Sequence, residues 1–292
     1  MSAKILSGSE LAKEMRQEIE TEVTEFVGRY GFTTTVAVVR AGEDPASVSY
    51  SNALEKSFGA RGLGFQLHTL PDRASQEEIG GLVAKLNNDA EIHGIMIQEP
   101  LPKGIDEAVI KDALSPGKDV DGVHPVNTGR LAQAAPAGRP AMVRPFFVPA
   151  TPSGGMEILR RNNVNLQEKH AVVVGRSTIV GKPMALLLLR ENATVSMCHS
   201  QTADLPGMCR TADVLCAAVG RAKMIKGDWI KPGAVVIDFG VNFDDGVMVG
   251  DVDFEEAKEV AGMITPVPGG TGPMTNIMLM KNVIAAARRQ IV

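Results

Sequence analysis

Cysteine is scarce in this chain of 292 residues, and its three copies, Cys198, Cys209 and Cys216, show no CxxC spacing. A disulfide frame is therefore excluded, a reducing compartment is implied, and no metal site is expected. Long apolar runs are missing as well: none approaches the roughly 20 residues that span a bilayer, so no membrane partner is expected. No run of Lys or Arg is present and the net charge is −4, which argues against nucleic acid as a partner. Internal repeats and low-complexity segments are absent too. Residues 1–16 carry Ser9, Glu10, Lys13 and Glu14 in a helical pattern rather than a signal peptide, so the cytoplasm is the expected location. What remains is a globular composition, 44% hydrophobic, long enough for one large or two modest domains.

The most telling segment is residues 171–183, AVVVGRSTIVGKP. A β-rich apolar run stops at Gly175, passes through Arg176 and Ser177, and restarts at Gly181 ahead of a leucine-rich helix. Strand, tight turn and helix start together form a phosphate-binding arrangement, because free backbone N–H groups and the helix dipole point at the ligand. The glycine spacing is not Gly-x-Gly-x-x-Gly: Ser177 replaces the second glycine and Gly181 falls one residue late. About twenty residues on, where an NAD-binding fold usually places an acid for the ribose, the chain has His199 and Ser200. With Arg176 in the first turn, that set suits a 2′-phosphate and favours NADP over NAD.

Strand and helix signals alternate almost throughout, predicting an α/β protein with largely parallel sheets. In the first half they give helices over 9–28, 45–59, 75–87 and 105–114, and strands over 34–39, 65–69 and 94–97. Residues 115–152 read as a loop-rich stretch. The second half gives helices over 153–161, 182–190 and 274–289, and strands over 171–174, 194–197, 214–217 and 234–238. Residues 264–273 are too rich in Pro and Gly for either element. Two α/β domains around a cleft follow: residues 1–148, with the helix of 274–292 packing back, and a Rossmann-type domain over 149–273. Clefts between domains are common ligand sites.

Tyr50 early in a helix, Gln98 at a strand end and Asp121 in the glycine-bounded loop KDVDG suit a polar heterocycle, since a carboxylate accepts paired N–H bonds from an amino-substituted ring. Each also has a plain structural reading as packing or solvated surface. The segments GIMIQEPLP, KDVDGVHP, ATPSGG, VVVGRSTIVGKP, KPGAVVIDFGVN and TPVPGGTGPMT occur in this order. Together they resemble the bifunctional methylenetetrahydrofolate dehydrogenase and methenyltetrahydrofolate cyclohydrolase family over essentially the whole chain. That resemblance implies a folate substrate, NADP as cofactor and a homodimer formed through the nucleotide domains. It implies that Tyr50 stacks on the aminobenzoyl part, Gln98 lies beside the reacting carbon and Asp121 holds the pterin amino group. Pro100 and Leu101 would form the pterin wall, and Gly269, Gly270 and Pro273 would line the substrate side near the nicotinamide. Thr151, Arg176, Ser177 and Ser200 would fall in or near the NADP site.

Two departures stand out. The family usually carries Tyr-x-x-x-Lys in the helix after Asp-Pro-Ala-Ser, with the lysine central to cyclohydrolase chemistry; here Leu54 takes that place on the substrate side. Lys56 lies about 200° around the helix axis from Leu54 and should point to solvent. Glu99 stands where the family has an apolar residue, and alternation along an extended chain turns it away from Gln98. Hydride transfer needs the folate carbon and the nicotinamide held about 3–3.5 Å apart, with the chemistry carried by the cofactor. Hydrolysis of the methenyl cation needs proton movement, to which a tuned group contributes about 10²–10⁴-fold. The expected activity is therefore an NADP-dependent dehydrogenase with weak or lost cyclohydrolase. The alternatives are the ordinary bifunctional enzyme with Glu99 or Lys56 in the missing role, a related dehydrogenase for another one-carbon carrier, and a non-catalytic folate or dinucleotide binding protein.

Overall fold

The structure, a computed structural model, describes residues 2–137 and 145–291. Along the chain run β1 (Lys4–Ile5), α1 (Gly8–Tyr30), β2 (Thr35–Ala41), α2 (Pro45–Gly59), β3 (Gly64–Leu70), α3 (Gln76–Asn88), β4 (Gly94–Ile97), α4 (Glu107–Ala113) and α5 (Pro125–Ala132). Then follow α6 (Ala150–Arg161), β5 (His170–Val174), α7 (Gly181–Arg190), β6 (Thr194–Cys198), α8 (Leu205–Arg210), β7 (Val214–Ala217) and β8 (Val235–Asp238). The hairpin β9 (Asn242–Asp244) and β10 (Val247–Val249), α9 (Phe254–Ala257), β11 (Met263–Ile264) and α10 (Thr271–Gln290) complete it.

These elements form two α/β units. The first comprises residues 14–129, 145–150 and 276–292. Its parallel sheet has the order β3-β2-β4, and β2, covered on both edges, is buried from Val36 to Val39. One face of β2 and β4, carrying Ala37, Val39, Ala41, Ile95 and Ile97, packs on Ile79, Val83 and Leu86 of α3 and Ile110 of α4. Asp44 caps α2 by accepting the Ser47 N–H at 2.9 Å, and Pro45 opens the helix where its missing N–H costs nothing. The buried positions of α2 are Ser47, Ser51, Leu54 and Phe58, a single stripe at helical spacing. From α10, Asn282 Nδ2 donates to the carbonyls of Val120 at 2.7 Å and Val148 at 3.1 Å, tying that helix into the first unit.

The second unit comprises residues 1–13, 130–144 and 151–275. Six parallel strands run in the order β1-β11-β8-β7-β5-β6, with Val172, Val174, Leu215, Ala217 and Val236 in its core. This is the doubly wound arrangement of a Rossmann-type domain.

The structure adds short elements that the sequence expectation lacked, β1, α8, β9, β10, α9 and β11, and departs from that expectation in three further respects. Residues 4 and 5, expected in the first domain, pair with Met263 and Ile264 and so belong to the second unit's sheet, a long-range pairing with no local signal. The stretch 115–152, expected as loop, contains α5 and the start of α6, both of which tolerate proline because it sits in a first turn; its residues 138–144 lie outside the described residues. The last helix starts at Thr271 rather than 274, again with its proline, Pro273, in the first turn.

Candidate active site

Each unit carries a separate cluster of the expected residues. In the first unit, Gln98 follows β4 and is only 4% exposed. Its Nε2 donates to the Ser47 carbonyl at 2.7 Å, while its Oε1 is buried with no hydrogen-bond partner among the described residues. A buried acceptor left open in this way is uncommon and marks a place where a ligand donor would be welcome. Tyr50 is half-buried on α2, and its hydroxyl donates to Asn276 Oδ1 of α10 at 3.4 Å. Burial, with the Asp121 charge adding to it, pushes the Tyr50 phenol above its ordinary range, so it stays neutral. Leu54 is fully buried one turn further along the same helix, and Lys56 is exposed.

Asp121 is positioned by a rigid loop. Its neighbour Asp119 is fully buried and accepts from the N–H groups of Val123 at 3.1 Å and His124 at 2.8 Å, and from Asn127 Nδ2 at 2.7 Å. Gly122 has φ +69, and a Cβ there would lie 2.5 Å from the Pro149 nitrogen, so only glycine fits. The Asp121 carboxyl is pushed up to about 7, first by burial, then by the negative charges of Asp119 and Glu99; the Ala150 N–H and the Lys111 ammonium oppose the rise. Glu99 reaches Lys111 Nζ on α4 at 2.5 Å, which lies on the α3 and α4 side of the sheet, away from Gln98. Pro100 is exposed, and Leu101 packs against the core beneath α3 and α4.

In the second unit, Gly175 has φ +126, and a Cβ there would lie 2.1 Å from the Ala218 carbonyl oxygen. A Cβ on Gly181 would lie 2.3 Å from the Gly175 carbonyl oxygen. The strand-to-helix turn is thus too tight for any side chain at either glycine, which lets a ligand approach bare backbone. Ser177 Oγ accepts from the N–H groups of Val180 and Gly181, both at 3.2 Å, so it closes the turn in place of a second glycine. Arg176 and Ser200 are exposed, and His199 is half-buried with Nδ1 accepting the Gln201 N–H at 3.2 Å. That bond assigns the proton of a neutral His199 to Nε2, leaving a donor on the outer edge of the ring. Thr151 Oγ1 accepts from Thr275 Oγ1 at 3.3 Å. Gly269 has φ +96, and its carbonyl accepts the Ser9 N–H at 2.9 Å; Gly270 is buried and Pro273 half-buried.

Two family models match in the corresponding places: the catalytic domain of tetrahydrofolate dehydrogenase/cyclohydrolase over residues 6–121 and its NAD(P)-binding domain over residues 149–291. The chain belongs to the tetrahydrofolate dehydrogenase/cyclohydrolase family. The bifunctional protein FolD of Roseiflexus sp. (strain RS-1) is 49% identical over 292 residues, covering 100% of this chain and 98% of that protein. Among solved structures, the FolD enzyme of Campylobacter jejuni superposes with a TM-score of 0.93 at 37% identity, covering 99% of both chains. The methylenetetrahydrofolate dehydrogenase-cyclohydrolase of Trypanosoma brucei, complexed with NADP cofactor and inhibitor, gives a TM-score of 0.93 at 35% identity over 100% of this chain and 99% of that one. Several residues that brace the surroundings of Gln98 and Asp121 by hydrogen bonds and ion pairs were not singled out from the sequence: Arg40, Ser47, Ser51, Lys111, Asp119 and Asn127. KDVDG pointed to the loop of Asp119, but nothing local distinguishes its structural carboxylate from Asp121.

Proposed function

We propose that this chain oxidises 5,10-methylenetetrahydrofolate to 5,10-methenyltetrahydrofolate with NADP and then hydrolyses that cation to 10-formyltetrahydrofolate. The observation that carries the reading is the buried, half-satisfied Gln98 amide on one wall and the electrostatically tuned Asp121 in the same unit. An ionised Asp121 accepts the paired N–H groups of a pterin, Tyr50 stacks on the aminobenzoyl part, and Gln98 Oε1 faces the reacting carbon. The resemblance also assigns Pro100 and Leu101 to the pterin wall and Gly269, Gly270 and Pro273 to the substrate side near the nicotinamide.

The nucleotide turn fits NADP: with no side chain at Gly175 or Gly181, a pyrophosphate can approach the backbone at the helix start, where the dipole favours it, and the resemblance adds Thr151. Arg176, Ser200 and His199 supply the cation and donors that a 2′-phosphate needs, where an NAD enzyme would carry an acid. When bound, the nicotinamide supplies the hydride acceptor. A homodimer is supported by the resemblance and by the hairpin β9 and β10, where Val241, Phe243 and Val247 are 60%, 66% and 63% exposed, apolar surface that a second copy would cover.

Retention of both activities is supported by relatives at 46–49% identity, which are named as bifunctional proteins. A second reading, dehydrogenase with little hydrolysis, is favoured by Leu54, which is 0% exposed and cannot move a proton. Purified protein given methylenetetrahydrofolate and NADP, with NADPH and methenyl product recorded together and spontaneous hydrolysis subtracted, separates them. NADPH rising while methenyl stays low supports two activities. Methenyl accumulating in step with NADPH supports the second reading, and the absence of turnover refutes both.

A further inference from the structure

Arg40 is the strongest unexplained group in the first unit. It is 6% exposed, and its Nε is buried with no partner among the described residues. Its facing carboxylate, Glu43, stands 3.4 Å from Nη2 and has a side chain that is 71% exposed. Burying a guanidinium with so little compensation is costly, and packing alone would favour an apolar side chain. Its place in the sheet gives the reason. Val39 of β2 is in register with Ile97 of β4, and the Gln98 N–H donates to the Val39 carbonyl at 2.9 Å. Arg40 and Gln98 are each the next residue along, so their side chains project from the same face. Both then meet the first turns of α2: Arg40 Nη1 donates to Ser51 Oγ at 2.8 Å, Ser51 Oγ donates to the Ser47 carbonyl at 3.0 Å, and Gln98 Nε2 donates to that same carbonyl at 2.7 Å.

We infer that Arg40 is a positioning residue for hydrolysis, which seats the Gln98 amide through Ser51 and Ser47 and supplies the fixed positive charge on the face that Leu54 leaves uncharged. The inference rests on the two-activity reading. In the hydrolysis, the oxygen of water bonds to the cationic carbon and one proton is lost to solvent. The remaining O–H proton then passes to the departing nitrogen as the C–N bond breaks, leaving the formyl group and releasing one proton overall. In that first step the site loses positive charge, because the cation and its added water become a neutral carbinol, and a fixed cation alongside favours this loss. Oxidation has the opposite demand, because hydride loss creates a cation that Arg40 repels. The charge therefore favours hydrolysis over oxidation, which a merely structural residue does not do.

The test measures hydrolysis of added methenyltetrahydrofolate and hydride transfer to NADP separately in Arg40→Gln and Arg40→Lys. The glutamine variant keeps a donor for Ser51 but no charge, and its ratio of hydrolysis to oxidation is expected to fall about tenfold. The lysine variant is expected to keep the ratio at pH 7 and lose it as pH rises toward about 10, because burial lowers a lysine pKa whereas guanidinium stays charged. The charged group facing Arg40 is Glu43 from the loop before α2; Ser51 and Gln98 are neutral, and burial holds the Tyr50 phenol protonated. If both rates fall together in Arg40→Gln, or the ratio holds, the inference is overturned. If that variant does not fold, a flat pH profile in Arg40→Lys overturns it instead. A wild type that hydrolyses nothing above the spontaneous rate refutes the two-activity reading, and the role of Arg40 falls with it; hydrolysis that is intact and indifferent to Arg40 refutes the inference alone.

Discussion

Replacing Lys111 with methionine removes the one cation among the charged groups that act on Asp121, which are Asp119, Glu99 and Lys111. Lys111 is itself held in its charged form: burial would lower its pKa, but Glu99 at 2.5 Å and Glu107 at 3.4 Å more than offset that and raise it. Loss of a nearby opposite charge raises a carboxyl pKa by about one unit or more. Starting from about 7, a one-unit rise cuts the ionised fraction of Asp121 at pH 7 from about one half to about one tenth, a fivefold loss. The expectation is a fivefold rise in KM for methylenetetrahydrofolate at pH 7, recovered as pH rises. Glu99→Gln removes a repelling charge while Glu107 still holds Lys111, so it shifts the Asp121 titration downward. Carbon-13 NMR of the Asp121 carboxyl, assigned by its loss in Asp121→Asn, reads both shifts without relying on activity. Shifts of the same sign in the two variants, or a wild-type Asp121 titrating near 4, refute the reasoning. Linkage supplies an independent check on the sign. The folded-state pKa of about 7 lies above the ordinary 3.8, so the native state holds a proton that the unfolded chain releases, and this contribution to stability is lost as pH rises from about 4 to about 7. Asp121→Asn should therefore raise Tm at pH 8 and change it little at pH 3.5.

Two further substitutions test the frames of the second unit. Gly175→Ala places a methyl 2.1 Å from the Ala218 carbonyl at φ +126; it should cost about 2–3 kcal/mol in stability and weaken NADP binding, both seen by thermal denaturation with and without NADP. Equal ligand-induced Tm shifts in variant and wild type would remove the turn from the cofactor site. Asp251→Ala strands the N–H groups of Val219, Gly220 and Arg221 and the Asn242 amide, which its carboxylate accepts at 2.6–3.1 Å; a loss of about 3–5 kcal/mol is expected by chemical denaturation, and a loss below 1 kcal/mol would show that these donors find water.

Much of the fold is local and was legible. The alternating signals place β4 and β7 at the residues observed and most longer elements within two residues, because apolar periodicity, caps and glycine turns act over a few neighbours. The short strands β1 and β11 escaped because two residues carry no period; β1 is a strand only through its pairing with β11 across more than 250 positions, and β11 through its pairing with β1 and β8. The glycine-bounded loops announced Asp121 and the turn at Gly175, since positive φ and close approach demand glycine. Arg40 and Lys111 gave no such sign: in sequence, each looks like an ordinary surface cation.

The family, the two α/β halves and the nucleotide turn were thus determined by the sequence alone, through motifs in which residue type and short spacing carry the chemistry. Tertiary structure decided which charges act on those motifs. It set Arg40 beside Gln98 by strand register, paired Glu99 with Lys111 across the sheet and a helix, and raised the Asp121 carboxyl by burial. Charge acts through space and through solvent exclusion, and neither is written in the order of residues.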